Sequence, residues 1–257
     1  MSLIIAAQNN DVATANHLIQ TGKEGVNLQD SSGKTAAAWA SITGSLDVLK
    51  LLIDKKANLE IKDQCGETAV FDATKNDQVG ALRMLTGARA DVNVIGHGGA
   101  TAAKVAAARG HLEALKILVG TGAQIDQLKN HDGIDSTMTP LMLAAKNGHA
   151  AAVKYLIQQQ APLHEKEKGM DFTALHYACR FDEPDAAKIL LDNGANPYET
   201  DAMGRTPLNL GSLPTRVEVT NHIATKILAA MPPESNERIL QLITDYALPK
   251  LTMTSQI

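Results

Sequence analysis

Aromatic residues make up only 3% of the 257-residue chain: three Phe, four Tyr and one Trp. With so few rings, the core has to be built from Ala, Leu, Ile and Val packed at close range. Cysteine is as scarce. Cys65 and Cys179 are the only two, too few for a disulfide framework and in keeping with a reducing compartment. No apolar run approaches the ~18 residues of a membrane-spanning helix. The amino-terminal MSLIIAAQNN carries no basic segment, and its apolar stretch ends after Leu3 to Ala7, which does not fit a secretory signal. Positive charge is not in excess either. Lys and Arg number 24 against 28 Asp and Glu, a formal net charge of −4, so nothing draws the whole chain to nucleic acid or acidic membranes. The expected location is the cytoplasm, of the producing cell or of a host cell if the protein is a delivered effector.

What the sequence does have is a repeat. TPLMLAAKNGH at 139–149 is echoed by TAAKVAAARGH at 101–111, TALHYACRFDE at 173–183 and TPLNLG at 206–211. Weaker copies stand at 35–45 (TAAAWASITGS) and 68–78 (TAVFDATKNDQ). The leading threonines Thr35, Thr68, Thr101, Thr139, Thr173 and Thr206 are separated by 33, 33, 38, 34 and 33 residues. Each piece has a physical reason. The threonine hydroxyl caps a first helix, and Pro140 or Pro207 fits the first turn, where no N–H is needed. Gly110 and Gly148 end that helix. A second amphipathic helix follows, with Leu112, Leu115 and Leu118, or Val153, Leu156 and Ile157, on one face. A polar connector with a Gly-bearing turn then leads to the next threonine.

This pattern resembles the ankyrin repeat, most faithfully in TPLMLAAKNGH, TALHYACR (173–180), DNGANP (192–197) and DAMGRTPL (201–208). The resemblance implies an all-α solenoid of about seven helix-turn-helix units with projecting β-hairpin fingers. Residues 1–30 read as an amino-terminal capping repeat, 31–198 as five repeats and 199–231 as a degenerate seventh, whose second helix is expected at about 217–230. Residues 232–257 read as a capping helix and tail, with Ile239, Leu240, Leu242, Ile243 and Tyr246 on one stripe; a solenoid needs its ends covered. The family's Pro-Leu-His after threonine is Ala36-Ala37-Ala38, Ala69-Val70-Phe71 and Ala102-Ala103-Lys104 in units two to four, and only His176 keeps the histidine. Units two to four are therefore expected to be less rigid.

Eight histidines raise the question of catalysis or metal binding. His111, His149 and His176 hold positions that are structural in the family. Cys65 and His97 fall on neighbouring fingertips, and an enzyme using them, or the enlarged 128–138 loop with His131, Asp132 and Asp135, is the alternative reading. A thiolate nucleophile needs an orienting third group and an oxyanion hole, and neither is recognisable. No catalytic, cofactor-binding or metal-binding residue is assigned, and no cofactor is expected.

In the ankyrin family the concave face, lined by fingers and inner helices, binds other proteins. The expected function is thus a non-enzymatic scaffold acting as adaptor, inhibitor or effector. Candidate contact residues are Trp39, Ile42, Lys75, Arg109, His131, Lys146, Phe172, Arg180, Phe181 and Arg205. Trp39 and Tyr177 occupy a place held elsewhere by Val105, Leu143 and Leu210, so packing against the next helix is their first reading. Phe172 and Phe181 are expected to be exposed. Lys75, Arg109, Lys146 and Arg180 come from four consecutive units and predict a basic stripe for a partner with an acidic surface. Nucleic-acid binding through that stripe is a further alternative, disfavoured by the net charge. The chain is expected to be a monomer, with no nucleic-acid or membrane partner.

Overall fold

The computed structural model describes residues 2–126 and 138–230, which contain fourteen α-helices in seven antiparallel pairs. The first four pairs are α1 (Leu3–Gln8) with α2 (Val12–Gln20), α3 (Ala36–Thr43) with α4 (Leu46–Asp54), α5 (Ala69–Lys75) with α6 (Val79–Gly87), and α7 (Ala102–Arg109) with α8 (Leu112–Gly120). The remaining three are α9 (Pro140–Lys146) with α10 (Ala150–Gln158), α11 (Ala174–Arg180) with α12 (Pro184–Asp192), and α13 (Pro207–Leu210) with α14 (Leu213–Ala230). Odd-numbered helices stack into an inner row and even-numbered ones into an outer row. No described helix is long and apolar enough to cross a membrane.

Alanine sets the spacing of the inner row. Ala6, Ala40, Ala73, Ala106, Ala144 and Ala178 hold equivalent places and are completely buried. Their carbonyls accept the N–H of the residue five positions on: Asp11, Ser45, Gln78, His111, His149 and Glu183, at 2.8–3.0 Å. This closure is the helix-ending motif in which the chain passes through one left-handed residue. Asn10, Gly44, Asp77, Gly110, Gly148 and Asp182 supply it, each at positive φ. A side chain at Gly110 would meet the ring of His149, 2.6 Å away, so here glycine is required by close approach as well as by backbone conformation.

The outer helices α4, α6, α8, α10 and α12 close the same way onto Leu52, Leu85, Leu118, Leu156 and Leu190, all buried. Their left-handed residues are Lys56, Arg89, Gly122, Gln160 and Gly194.

Thr35, Thr101, Thr139 and Thr173 cap their helices by accepting the N–H three residues on, at 3.2–3.4 Å. His149 Nε2 contacts the carbonyl of Ala108 and His111 Nδ1 that of Thr74, tying each outer helix to the preceding unit. His176 is fully buried, paired with Thr173 through Nδ1 and with the Arg205 carbonyl through Nε2. The units without that histidine use other means. Met142 Sδ accepts the Thr139 N–H, Asn209 Oδ1 accepts both N–H and hydroxyl of Thr206, and Phe71 fills the space with its buried ring.

Two expectations need correction. Among the described residues the β-hairpin fingers are reduced to tight turns, with a single isolated antiparallel bridge, Gln29 to Thr35. In most fingers an aspartate replaces sheet pairing: the Oδ1 atoms of Asp30, Asp63 and Asp201 each accept two backbone N–H groups of their own turn. Adjacent tips are joined by single backbone bonds, Gln64 N–H to Ser32 O and His97 N–H to Cys65 O. The last outer helix starts at Leu213, not near 217, because α13 is only four residues long and Gly211 is extended (φ −77°, ψ 156°). Pro214 then occupies the first turn of α14, where its missing N–H costs nothing. The expected capping helix within 232–257 lies outside the described residues.

Lys56, Arg89 and Gln160 are exposed, yet adopt φ of +61°, +63° and +62°. A side-chain-bearing residue there costs about 1 kcal/mol, partly offset by the greater unfolded-state freedom of glycine. Replacing all three by Gly is expected to raise unfolding free energy by about 1 kcal/mol in denaturant melts. A loss of stability would contradict the closure described here.

Candidate partner-binding face

Of the candidate residues, Ile42, Lys75, Arg109, Lys146 and Arg180 stand in the last turns of their inner helices, Trp39 one turn earlier, Phe181 just past α11, and Phe172 and Arg205 in fingers. They are not equivalent. Trp39 is half-buried, and its indole N–H donates to Asp30 Oδ2 at 2.7 Å, so it braces the second finger. Ile42, one turn on, is also half-buried. Lys75 is paired within its own unit, its ammonium 3.2 Å from Glu67. The Arg109 guanidinium is exposed and donates to the Lys75 carbonyl at 2.6 Å. His131 lies outside the described residues.

The sixth unit carries an aromatic ladder, which Lys146 of the fifth unit joins at its outer end. Phe172 lies at the base of the sixth finger, 5.5 Å from the parallel imidazole of His176 and 5.3 Å edge-on from Tyr177. Tyr177 stacks on Phe181 at 6.4 Å. The expectation of an exposed Phe172 is wrong: it is 2% accessible, while Phe181 is 44% accessible. The reason is local. The ring folds back over the buried imidazole, and the Arg180 and Arg205 guanidinium groups lie 5.6 and 6.0 Å from its centroid. Lys146 places its ammonium 5.0 Å from the Phe181 centroid. Arg205 is additionally paired with Asp201 at 2.8 Å. Burial pushes the Tyr177 hydroxyl up to about 12, with Glu167 adding to the effect, so the ladder is neutral between its cations.

Sequence reasoning missed a buried ionic cluster at the opposite end. Lys34 Nζ sits 2.6 Å from Asp63 and 2.7 Å from Asp72. Asp72 occupies the packing position of Val105 and Leu143, and a carboxylate among apolar equivalents was the signal available. Its second oxygen, Oδ2, and the Thr68 hydroxyl are buried without a hydrogen-bond partner, which makes ionisation there expensive. Burial raises Asp72 to about 6, and the nearby Glu67 and Asp63 charges add to it despite the Lys34 bond. Lys104, buried in the histidine position of the fourth unit, is lowered by burial to about 8.

Cys65 and His97 are both exposed at adjacent fingertips, joined through their backbones rather than by any side-chain hydrogen bond. Cys179 is buried, its thiol pushed up to about 12 by burial. Among the described residues, no group of three or more His, Cys, Asp or Glu side chains is placed to hold a metal ion.

A family profile described as ankyrin repeats (three copies) matches residues 3–96 and 104–201. The chain belongs to the ankyrin-repeat family. Curated relatives include the neurogenic locus notch homolog protein 1 of Xenopus tropicalis, 39% identical over 85 residues, a match covering 28% of this chain and 3% of that protein. The Drosophila melanogaster Notch protein is 38% identical over 87 residues, again 28% of this chain and 3% of its own length. Among solved structures, the human ASB11 ankyrin repeat domain superposes with a TM-score of 0.76 at 23% identity, covering 91% of this chain and 99% of that one. The Bcl-3 ankyrin repeat domain, of the IkappaB family, gives 0.75 at 24% identity over 86% and 98%. A chain from the complex of the Bdellovibrio bacteriovorus predatory endopeptidase Bd0816 with immunity protein Bd3460 gives 0.65 at 32% identity, over 74% and 96%.

The raised pKa of Asp72 has a definite sign. The folded state holds a proton that the unfolded chain releases, so this contribution is full below about 3.8 and is lost as pH rises through about 6. Asp63 shifts downward, so its contribution is lost only as pH falls below the ordinary carboxylate range. Between pH 7 and 5 the wild type should therefore gain about 1 kcal/mol relative to Asp72→Asn in urea unfolding. Parallel pH profiles for the two proteins would contradict the buried carboxylate.

Proposed function

We propose that this protein is a non-enzymatic scaffold that captures a partner protein through the face formed by its fingers and inner helices, the partner presenting an acidic surface. The observation carrying this reading is the distribution of unneutralised positive charge. Arg109, Lys146 and Arg180 stand at the ends of three successive inner helices, and no carboxylate lies within ion-pair distance of any of them among the described residues. Stacked helices lie about 8–10 Å apart, so these cations span roughly 20 Å. Lys75, the fourth member of the expected stripe, is offset by Glu67. Exposed cations at an interface act mainly on the rate of encounter and on partner choice. The overall charge of −4 favours a local acidic partner surface over a long polyanion such as nucleic acid. The protein acts as a monomer in this reading.

The likeness to a chain of the endopeptidase–immunity protein complex supports, within the scaffold reading, the role of an inhibitor that sits on an enzyme. Affinity capture by the full chain, followed by mass spectrometry and kinetic measurement with the recovered protein, tests both. Reversing Arg109, Lys146 and Arg180 to Glu is expected to slow association at least tenfold at low salt and to flatten its salt dependence, with melting nearly unchanged. Lys75→Glu alone is expected to change association less than threefold. Association indifferent to both salt and the triple substitution would refute the acidic-partner reading.

A further inference from the structure

The inner face divides electrostatically into two halves. In the second and third units the cations Lys34 and Lys75 are held by Asp63, Asp72 and Glu67. In the fifth and sixth units Lys146 and Arg180 instead lie against aromatic rings, with no carboxylate in ion-pair range among the described residues. Phe181, the residue just past the end of α11 and next in sequence to Arg180, carries Lys146 over its ring and is 44% accessible. Its ring rests on Tyr177, which rests on the buried Phe172, so the exposed ring is supported from beneath. A half-exposed aromatic on a rigid base, flanked by cations, has the composition of a binding hot spot. Met170 and Met203, 42% and 67% accessible, stand on neighbouring fingertips.

From this we infer that Phe181, Lys146 and Arg180 form the anchor subsite for a partner segment in which an apolar or aromatic side chain is flanked by Asp or Glu side chains. The inference rests on the scaffold reading above and names the part of the face that dominates it. The apolar side chain packs on the accessible part of the Phe181 ring left between Tyr177 and Lys146. The flanking carboxylates pair with Lys146, which already lies over the Phe181 ring, and with Arg180, which lies over Phe172, so both need little reordering. The acidic groups nearby set a limit on what fits. Asp182, next in sequence to Phe181, is exposed, and its carboxylate is held ionised by the Ser212 hydroxyl and N–H; Asp185, also exposed, follows in the first turn of α12. They repel an extended phosphate backbone while leaving room for one or two carboxylates directed at the cations.

Selection of a random twelve-residue phage-displayed peptide library on the full chain tests the subsite. Enriched peptides are expected to carry an apolar or aromatic residue next to Asp or Glu. Synthetic versions are expected to lose at least tenfold in affinity on Phe181→Ala, and similarly on Lys146→Glu with Arg180→Glu, both variants melting as the wild type. Replacing the peptide carboxylates by Asn and Gln is expected to cost as much, and a labelled oligothymidylate is expected not to compete. Peptides lost on Arg109→Glu but not on Phe181→Ala would overturn the subsite and leave the scaffold reading standing. Basic or uncharged consensus peptides, competition by the oligothymidylate, or no enrichment at all would overturn the subsite. If affinity capture also recovered no partner, the scaffold reading would fail with it.

Discussion

A hydrogen bond from the residue that begins each outer helix back to an alanine carbonyl five positions earlier closes every inner helix but the last. That bond forces one residue into the left-handed region and reverses the chain within two residues. The alanine that receives it is also the point where neighbouring inner helices meet, with no accessible surface left. Backbone closure and side-chain packing therefore fall on one position. A larger side chain there would separate the repeats and break the closure together. The surface inherits this regularity, because the residue just before each left-handed one (Asn9, Thr43, Asn76, Arg109, Asn147 or Phe181) is exposed.

The face built on that frame is uneven. Its amino-terminal half is internally neutralised, at the cost of burying Asp72 where other units place Val or Leu. A buried ion pair is weak support for stability, since desolvation offsets most of the attraction. The orphaned oxygen of Asp72 shows that this one is incompletely satisfied. The carboxyl-terminal half spends its cations on aromatic rings instead. Such contacts orient the charges and leave them able to pair with an incoming carboxylate.

Much of this was legible in the sequence because a 33-residue period with a threonine lead constrains every position in the unit. The helix pairs and the caps of Thr139 and Thr173 follow from the repeat spacing, while the structural role of His176 was implied only by the resemblance to the ankyrin repeat. The departures have local causes. Phe172 stands where other units carry Lys34, Glu67, Ala100, Met138 or Arg205, a mixed position at the finger's edge, and no pattern rule says that a ring there will fold back over His176. The early start of α14 depends on Gly211 adopting an extended conformation after a truncated α13, a tertiary outcome of Asp182 accepting the Ser212 N–H. The Lys34–Asp72 contact joins residues 38 apart, and only stacking of successive units brings them together.

The central claim is that a partner is held by the inner face of the fifth and sixth units. Amide hydrogen exchange on the full chain, with and without a saturating captured partner, measures this most directly. The account predicts slowed exchange confined to the ends of α9 and α11 and to the fingers at 165–172 and 201–205, with α8, α10 and α12 unchanged. Slowed exchange on those outer helices, with the inner ends unaffected, would contradict it.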